Sequence, residues 1–150
     1  MNDIKRAAGS WLRSQPRTTV AVAFGTLSTA LMHVAWVADA RFSGVAPLLT
    51  VAAGLAHAIA GAVAAPRLMD RTRTTTASQA CLVGACASLG ALALWTPALV
   101  LWIQADNTRA DLISSVALIP LVGVFSFLAV GWAMLLLCAA ISWSVFHVAG

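Results

Sequence analysis

His33, His57 and His147 are the residues of this chain best placed to do chemistry, because each lies within or beside a long apolar run. An ionisable group inside such a run is costly and points by default to a function. A neutral imidazole is much cheaper to bury than a carboxylate, however. A hydrogen bond to a carbonyl or hydroxyl of a neighbouring helix satisfies it equally well. Cys81, Cys86 and Cys138 share the apolar runs, where free cysteines act either as small buried fillers or as soft-metal ligands.

Two chemistries compete with that plain packing role. Haem b between two histidines needs ligands at nearly one depth, with each helical residue rising ~1.5 Å. His33 sits about five residues from the outer end of its run and His57 about twelve from that of the next, a mismatch of roughly 10 Å. His147 lies near the opposite face. No histidine pair matches, which leaves a haem or chlorin held singly by His57 or His33. The second chemistry is a soft metal: His57 and Cys86 both fall roughly 13–15 Å from the inner edge. Cys138 joins them if the last span ends near Val148. Thiolate with imidazole suits Cu(I) or Zn(II).

Other classes find little support. The chain has no Glu, and Asp3, Asp39, Asp70, Asp106 and Asp111 all fall outside the apolar runs. That pattern offers no mid-membrane carboxylate for ion coupling. It offers neither a catalytic triad nor a nucleophile elbow, which argues against an enzyme. The pI near 9.8 comes from basic residues too sparse and dispersed to track nucleic acid.

The elements that must position these groups are membrane helices. Hydrophobic residues make up 61% of the 150 and charged ones 9%, with a mean hydropathy of +0.90, outside the range of soluble domains. About 20 apolar residues cross a hydrocarbon core of roughly 30 Å. The expected fold class is all-α: a polytopic integral membrane protein with four transmembrane helices in a bundle. A basic arm (residues 1–18) precedes spans at about 19–38, 45–65, 77–103 and 120–148. Pro120 divides the last apolar stretch, so 112–119 reads as an interfacial lead-in. Ala38, Asp39 and Ala40 imitate a signal-cleavage site, but the preceding apolar stretch is longer than a usual signal core.

Lys and Arg placement sets the orientation. Lys5, Arg6, Arg13, Arg17, Arg67, Arg71 and Arg73 fall on one side, against Arg41 and Arg109 on the other. Both termini are therefore expected to be cytoplasmic, in a multi-pass protein of the cell membrane. A weak repeat points to two tandem hairpins. Trp36, Asp39 and Arg41 resemble Trp102, Asp106 and Arg109, while Pro47 to Val51 resembles Pro120 to Val124. Small residues at helical spacing (Ala53, Gly54, Ala58, Gly61 and Ala65, then Gly84 and Ser88) let helices approach closely. They serve either internal packing or docking to other membrane subunits or to a second copy. By elimination, the expected role is an accessory or structural subunit of a membrane complex. The alternatives are a redox subunit holding haem or a chlorin, and a permeation protein for a small solute or soft metal.

Overall fold

A computed structural model describes residues 2–37, 46–105 and 112–149. Asp39, Arg41, Asp106, Arg109 and Asp111 lie outside them. The described chain is helical throughout its spans: α1 (Asn2–Ser14), α2 (Pro16–Val37), α3 (Ala46–Met69), α4 (Ala77–Ala105), α5 (Leu112–Ser126) and α6 (Trp132–Ala149). A single π-helical turn, Phe127–Gly131, joins α5 to α6. Four helices are long and apolar enough to cross a membrane: Pro16–Ala35, Leu49–Met69, Ala77–Pro97 and the composite Val116–Val148. Val22, Leu55, Val63, Leu82 and Leu136 stand exposed on their outer faces, as lipid contact requires.

The basic arm is α1. Its apolar side places Leu12 in the core, and Gly9 lies against the Val148 carbonyl of α6, where an added Cβ would be 3.2 Å from the oxygen. The helix yields to α2 at Gln15. Pro16 takes the first position of α2, where its missing N–H removes no helical bond.

The turn between α3 and α4 is built from side chains. Asp70 Oδ1 accepts from the Thr72 amide at 3.0 Å and its hydroxyl at 2.6 Å, and Arg73 Nε lies 3.2 Å from Asp70 Oδ2. Thr76 and Gln79 then form a capping box for α4. Gln79 donates its amide to Thr76 Oγ1 at 3.3 Å, and its Oε1 accepts the amides of Thr75 at 2.8 Å and Thr76 at 3.3 Å. Arg71 leaves the turn to donate to the Phe146 carbonyl of α6, with its guanidinium 3.8 Å from the centre of the Phe146 ring. Consequently α1, the α3–α4 turn and the end of α6 share one end of the bundle. Arg13, Arg17, Arg67, Arg71 and Arg73 belong to these elements or adjoin them.

The Asp70 hydrogen bonds from Thr72 and the nearby Arg73 hold its carboxyl below the usual carboxylate range. A lowered folded-state value means the contact is fully formed above the ordinary carboxylate pKa and is lost as pH falls through the folded value. Hydrogen exchange at the Thr72 amide should therefore accelerate below about pH 4. In Asp70→Asn that acid step should disappear; its persistence would show that another group controls the turn.

Packing pairs α2 with α3 and α4 with α6, and α3 against α4 joins the pairs, the arrangement tandem hairpins require. Two apolar layers fill the interior. One, at the basic end, centres on Phe24, Leu68, Ala65, Cys138 and Val145. The other centres on Met32, Ala53, Trp95, Leu99 and Met134.

Pro66 and Pro120, expected to bound spans, lie inside helices, as does Pro97, which the expected span 77–103 already included. α3 continues through Pro66 to Met69, α4 through Pro97 to Ala105, and α5 through Pro120 to Ser126. Residues 112–119, the expected lead-in, are helical and run into 120–126 without interruption. Among membrane helices a proline is tolerated because neighbouring groups and local adjustments re-satisfy the freed carbonyl. The departure from α-geometry instead falls at Phe127–Gly131, where the Trp132 amide donates to the Phe127 carbonyl. Gly131 permits it: a Cβ there would be 2.9 Å from Phe127 Cδ2.

Candidate functional site: an apolar cavity beside His57

His57 is buried on α3, and the way it is held defines what it can do. Its Nδ1 lies 2.9 Å from the Ala53 carbonyl one turn back. A carbonyl only accepts, so the ring proton sits on Nδ1 and Nε2 carries a lone pair. Ser88 on α4 stands 3.5 Å from that lone pair, beyond the usual hydrogen-bond distance. Cys138 of α6 is buried at the same seam, its carbonyl against Gly84, one turn along α4 from Ser88. Three helices therefore converge on one small polar cluster in an otherwise apolar interior.

Beside it lies a cavity of about 340 Å³. Trp95 and Leu92 of α4, Met32 of α2, and Met134 and Gly131 near the start of α6 wall its inner part. Its rim carries Leu89, Leu121 and Phe125, which are 47%, 53% and 64% exposed. The opening therefore faces sideways between α4 and α5, toward the lipid rather than toward either end. His57 is about eight residues along α3 from Leu49, ~12 Å by helical rise, so the polar cluster lies near the middle of the span. The π turn contributes Phe127 and Gly131 to the wall.

The sequence-predicted residues divide among separate places. His33 is exposed in a groove between α2 and α3 that also holds Thr29, Gly54 and Ala58, while His57 lines the interior cavity. The two share no cavity. His147 lies at the basic end against Trp143, with ring centres 4.3 Å apart. Cys138 is buried beside Ser88, whereas Cys86 is exposed and lines the outer groove between α3 and α4. The expected metal set of His57, Cys86 and Cys138 is therefore not assembled. Cys86 and Ser88 are two residues apart, roughly 200° around a helix, so turning Ser88 to His57 turns Cys86 outward. Among the described residues no three His, Cys, Asp or Glu side chains are placed to hold a metal ion.

The small residues are taken up internally. An added Cβ on Gly25 of α2 would lie 3.0 Å from Ala58 Cβ, and one on Gly61 2.9 Å from the Val20 carbonyl. Gly54 faces Thr29, and Gly84 faces Cys138 and Ser142. Ala53 and Ala65 are buried in the two core layers. These residues close seams within the chain, the internal packing that their spacing allowed.

Sequence reasoning missed the cavity walls. Ser88 and Trp95, seven apart on one face of α4, were the available signal. Met32, Met134 and the π turn had none, because their apolar surroundings carry no periodic contrast. Comparison with protein-family models, curated proteins and solved structures finds no match to this chain, and any reading of its function rests on the cavity itself.

Proposed function

We propose that the protein is a multi-pass protein of the cell membrane, with both termini cytoplasmic, that takes an apolar, hydroxyl-bearing molecule from the bilayer into the cavity beside His57. The observation that carries this reading is the pairing of a sideways apolar opening with one buried acceptor, the Nε2 lone pair of His57. A volume of about 340 Å³ falls within the range of small-molecule sites, which are mostly apolar with a few placed polar groups. A phenolic head would donate to Nε2 and accept from Ser88, its ring lying among Trp95, Met134 and Phe127, with an isoprenoid or acyl tail leaving past Phe125. Iron in a haem would compete for the same lone pair, and Ser88, 3.5 Å from it, adds a hydroxyl that a hydrogen-bonding ligand uses and a haem iron does not. The orientation is supported by Arg13, Arg17, Arg67, Arg71 and Arg73, which lie toward the end that holds α1, the α3–α4 turn and the end of α6.

Decylubiquinol is a suitable probe, with the full chain in lipid nanodiscs. Thermal unfolding should shift upward saturably with probe concentration, since a ligand of the folded state stabilises it by mass action. His57→Leu keeps the bulk and removes the acceptor, and should weaken binding roughly tenfold, the worth of one hydrogen bond. His57→Gln, which restores an acceptor, should recover part of it. A wild-type protein with no saturable shift, or a His57→Leu variant that binds equally well, would sink the proposal.

A further inference from the structure

A second groove runs along the outside of the bundle between α3 and α4, with a volume of about 660 Å³, and it differs from the His57 cavity in having a charged end. Arg67, Arg73 and Gln79 line that end, while Ile59, Val63 and Leu82 line the apolar length beyond it. Those three are 56%, 76% and 63% exposed. Gly90 leaves a notch in the wall: a Cβ there would meet nothing within 4 Å.

The polar end is a cluster of unused donors. Arg73 gives Nε to Asp70 and its side chain remains 72% exposed, which leaves its terminal nitrogens outward. The Arg67 guanidinium has no partner among the described residues; its backbone carbonyl alone is engaged, by Thr74 Oγ1 at 2.7 Å. Gln79 accepts three hydrogen bonds at Oε1 from Thr75 and Thr76, which orients its amide nitrogen as a further donor. Asp70 is the one acidic group of this turn, and Arg71 points away to Phe146. The groove end thus counts two guanidinium groups against one carboxylate, which leaves net positive charge.

We propose that this groove holds an anionic glycerophospholipid, its phosphate on Arg67, Arg73 and Gln79 and an acyl chain along Val63, Leu82 and Gly90. Charge complementarity selects the headgroup, because basic pockets between membrane helices bind anionic lipid headgroups from the cytoplasmic leaflet. Length selects a lipid over a free anion. From Gln79 to Leu94 the groove follows α4 for about 15 residues, ~22 Å, enough for a chain crossing a leaflet of roughly 15 Å.

The test is native mass spectrometry of the full chain released from detergent micelles containing dioleoyl phosphatidylglycerol or dioleoyl phosphatidylcholine. One phosphatidylglycerol should be retained roughly tenfold more than phosphatidylcholine, given the contribution of each arginine near an anionic surface. The double substitution Arg67→Gln with Arg73→Gln, at exposed positions, should abolish the preference. Gly90→Leu fills the notch without touching the headgroup site, and should lower retention of both lipids while keeping their ratio. Equal retention by the wild type, a preference that survives the double substitution, or full retention by Gly90→Leu would each overturn the proposal. Thermal unfolding of the variants no lower than that of the wild type, followed by circular dichroism, ties these losses to the lipid site.

Discussion

Gly84→Ala should destabilise the bundle by on the order of 3 kcal/mol, at the upper end of what a single overpacked methyl costs. The new Cβ would stand 2.8 Å from the carbonyl carbon of Cys138, and it would also overlap that carbonyl's oxygen and the Ser142 hydroxyl. The first obstacle is backbone, which has no rotamer to change. α6 must move away from α4 as a body, and Cys138 moves away from Ser88, one turn further along α4. Thermal unfolding in detergent, followed by far-ultraviolet circular dichroism, reads the loss directly. Ser142→Ala should fail to rescue it, because the Cys138 carbonyl stays. Gly90→Ala supplies the contrast: with nothing within 4 Å, it gains helix propensity of about 0.5–1 kcal/mol and loses no contact. Equal stability of Gly84→Ala and the wild type, or rescue by Ser142→Ala, would mean that the α4–α6 seam is looser than its geometry.

The same seam shows why the fold was more legible than the site. Spans and their number follow from composition, because a charge-free run of about 20 residues has few fates other than a membrane helix. Helix ends followed less well. Pro66 and Pro120 are strong stop signals in water, yet both lie inside helices here, since apolar surroundings leave the chain no alternative to internal hydrogen bonding. By contrast, α4 begins at Ala77, where the third span was expected to begin, and Thr76 and Gln79, three apart, fix that start.

At the site, depth was legible and direction was not. Helical rise placed His57 level with the Cys86 region of the third span, and the structure sets His57 opposite Ser88, two residues on. Which side of α4 faces inward depends on contrast between polar and apolar faces, and α4 is apolar all round. In such a helix the inward face is chosen by fit, by where Gly84 lets α6 approach and where Ser88 meets His57. The π turn at Phe127–Gly131 is of the same kind, fixed by Gly131 against Phe127 rather than by any pattern along the chain.

Between α2 and α3 the obstacle is a side chain, and a substitution there should be repairable. A Cβ on Gly54 would overlap the Thr29 hydroxyl, while the next nearest atoms, the Gly25 oxygen and Thr29 Cβ, would both be 3.3 Å away, tight but within what packing can absorb. Thr29 cannot simply turn aside, because its β-branched side chain is stiff and its hydroxyl donates to the Gly25 carbonyl at 2.7 Å. Gly54→Ala should therefore cost about 2 kcal/mol. Thr29→Ala alone should cost less than about 1 kcal/mol, the worth of one local hydrogen bond. In the double variant the methyl replaces the hydroxyl in the same space, so the two losses should not add; the coupling should be on the order of 1–2 kcal/mol and favourable. Lipid is as apolar as the helix faces and no hydrophobic driving force holds α2 to α3, so close contact itself supplies the attraction, and a misfit of one atom is felt at nearly full strength. Unfolding of the four proteins of the cycle under one set of conditions measures the coupling. Strict additivity would show that Gly54 and Thr29 do not touch, and would move the α2–α3 seam elsewhere.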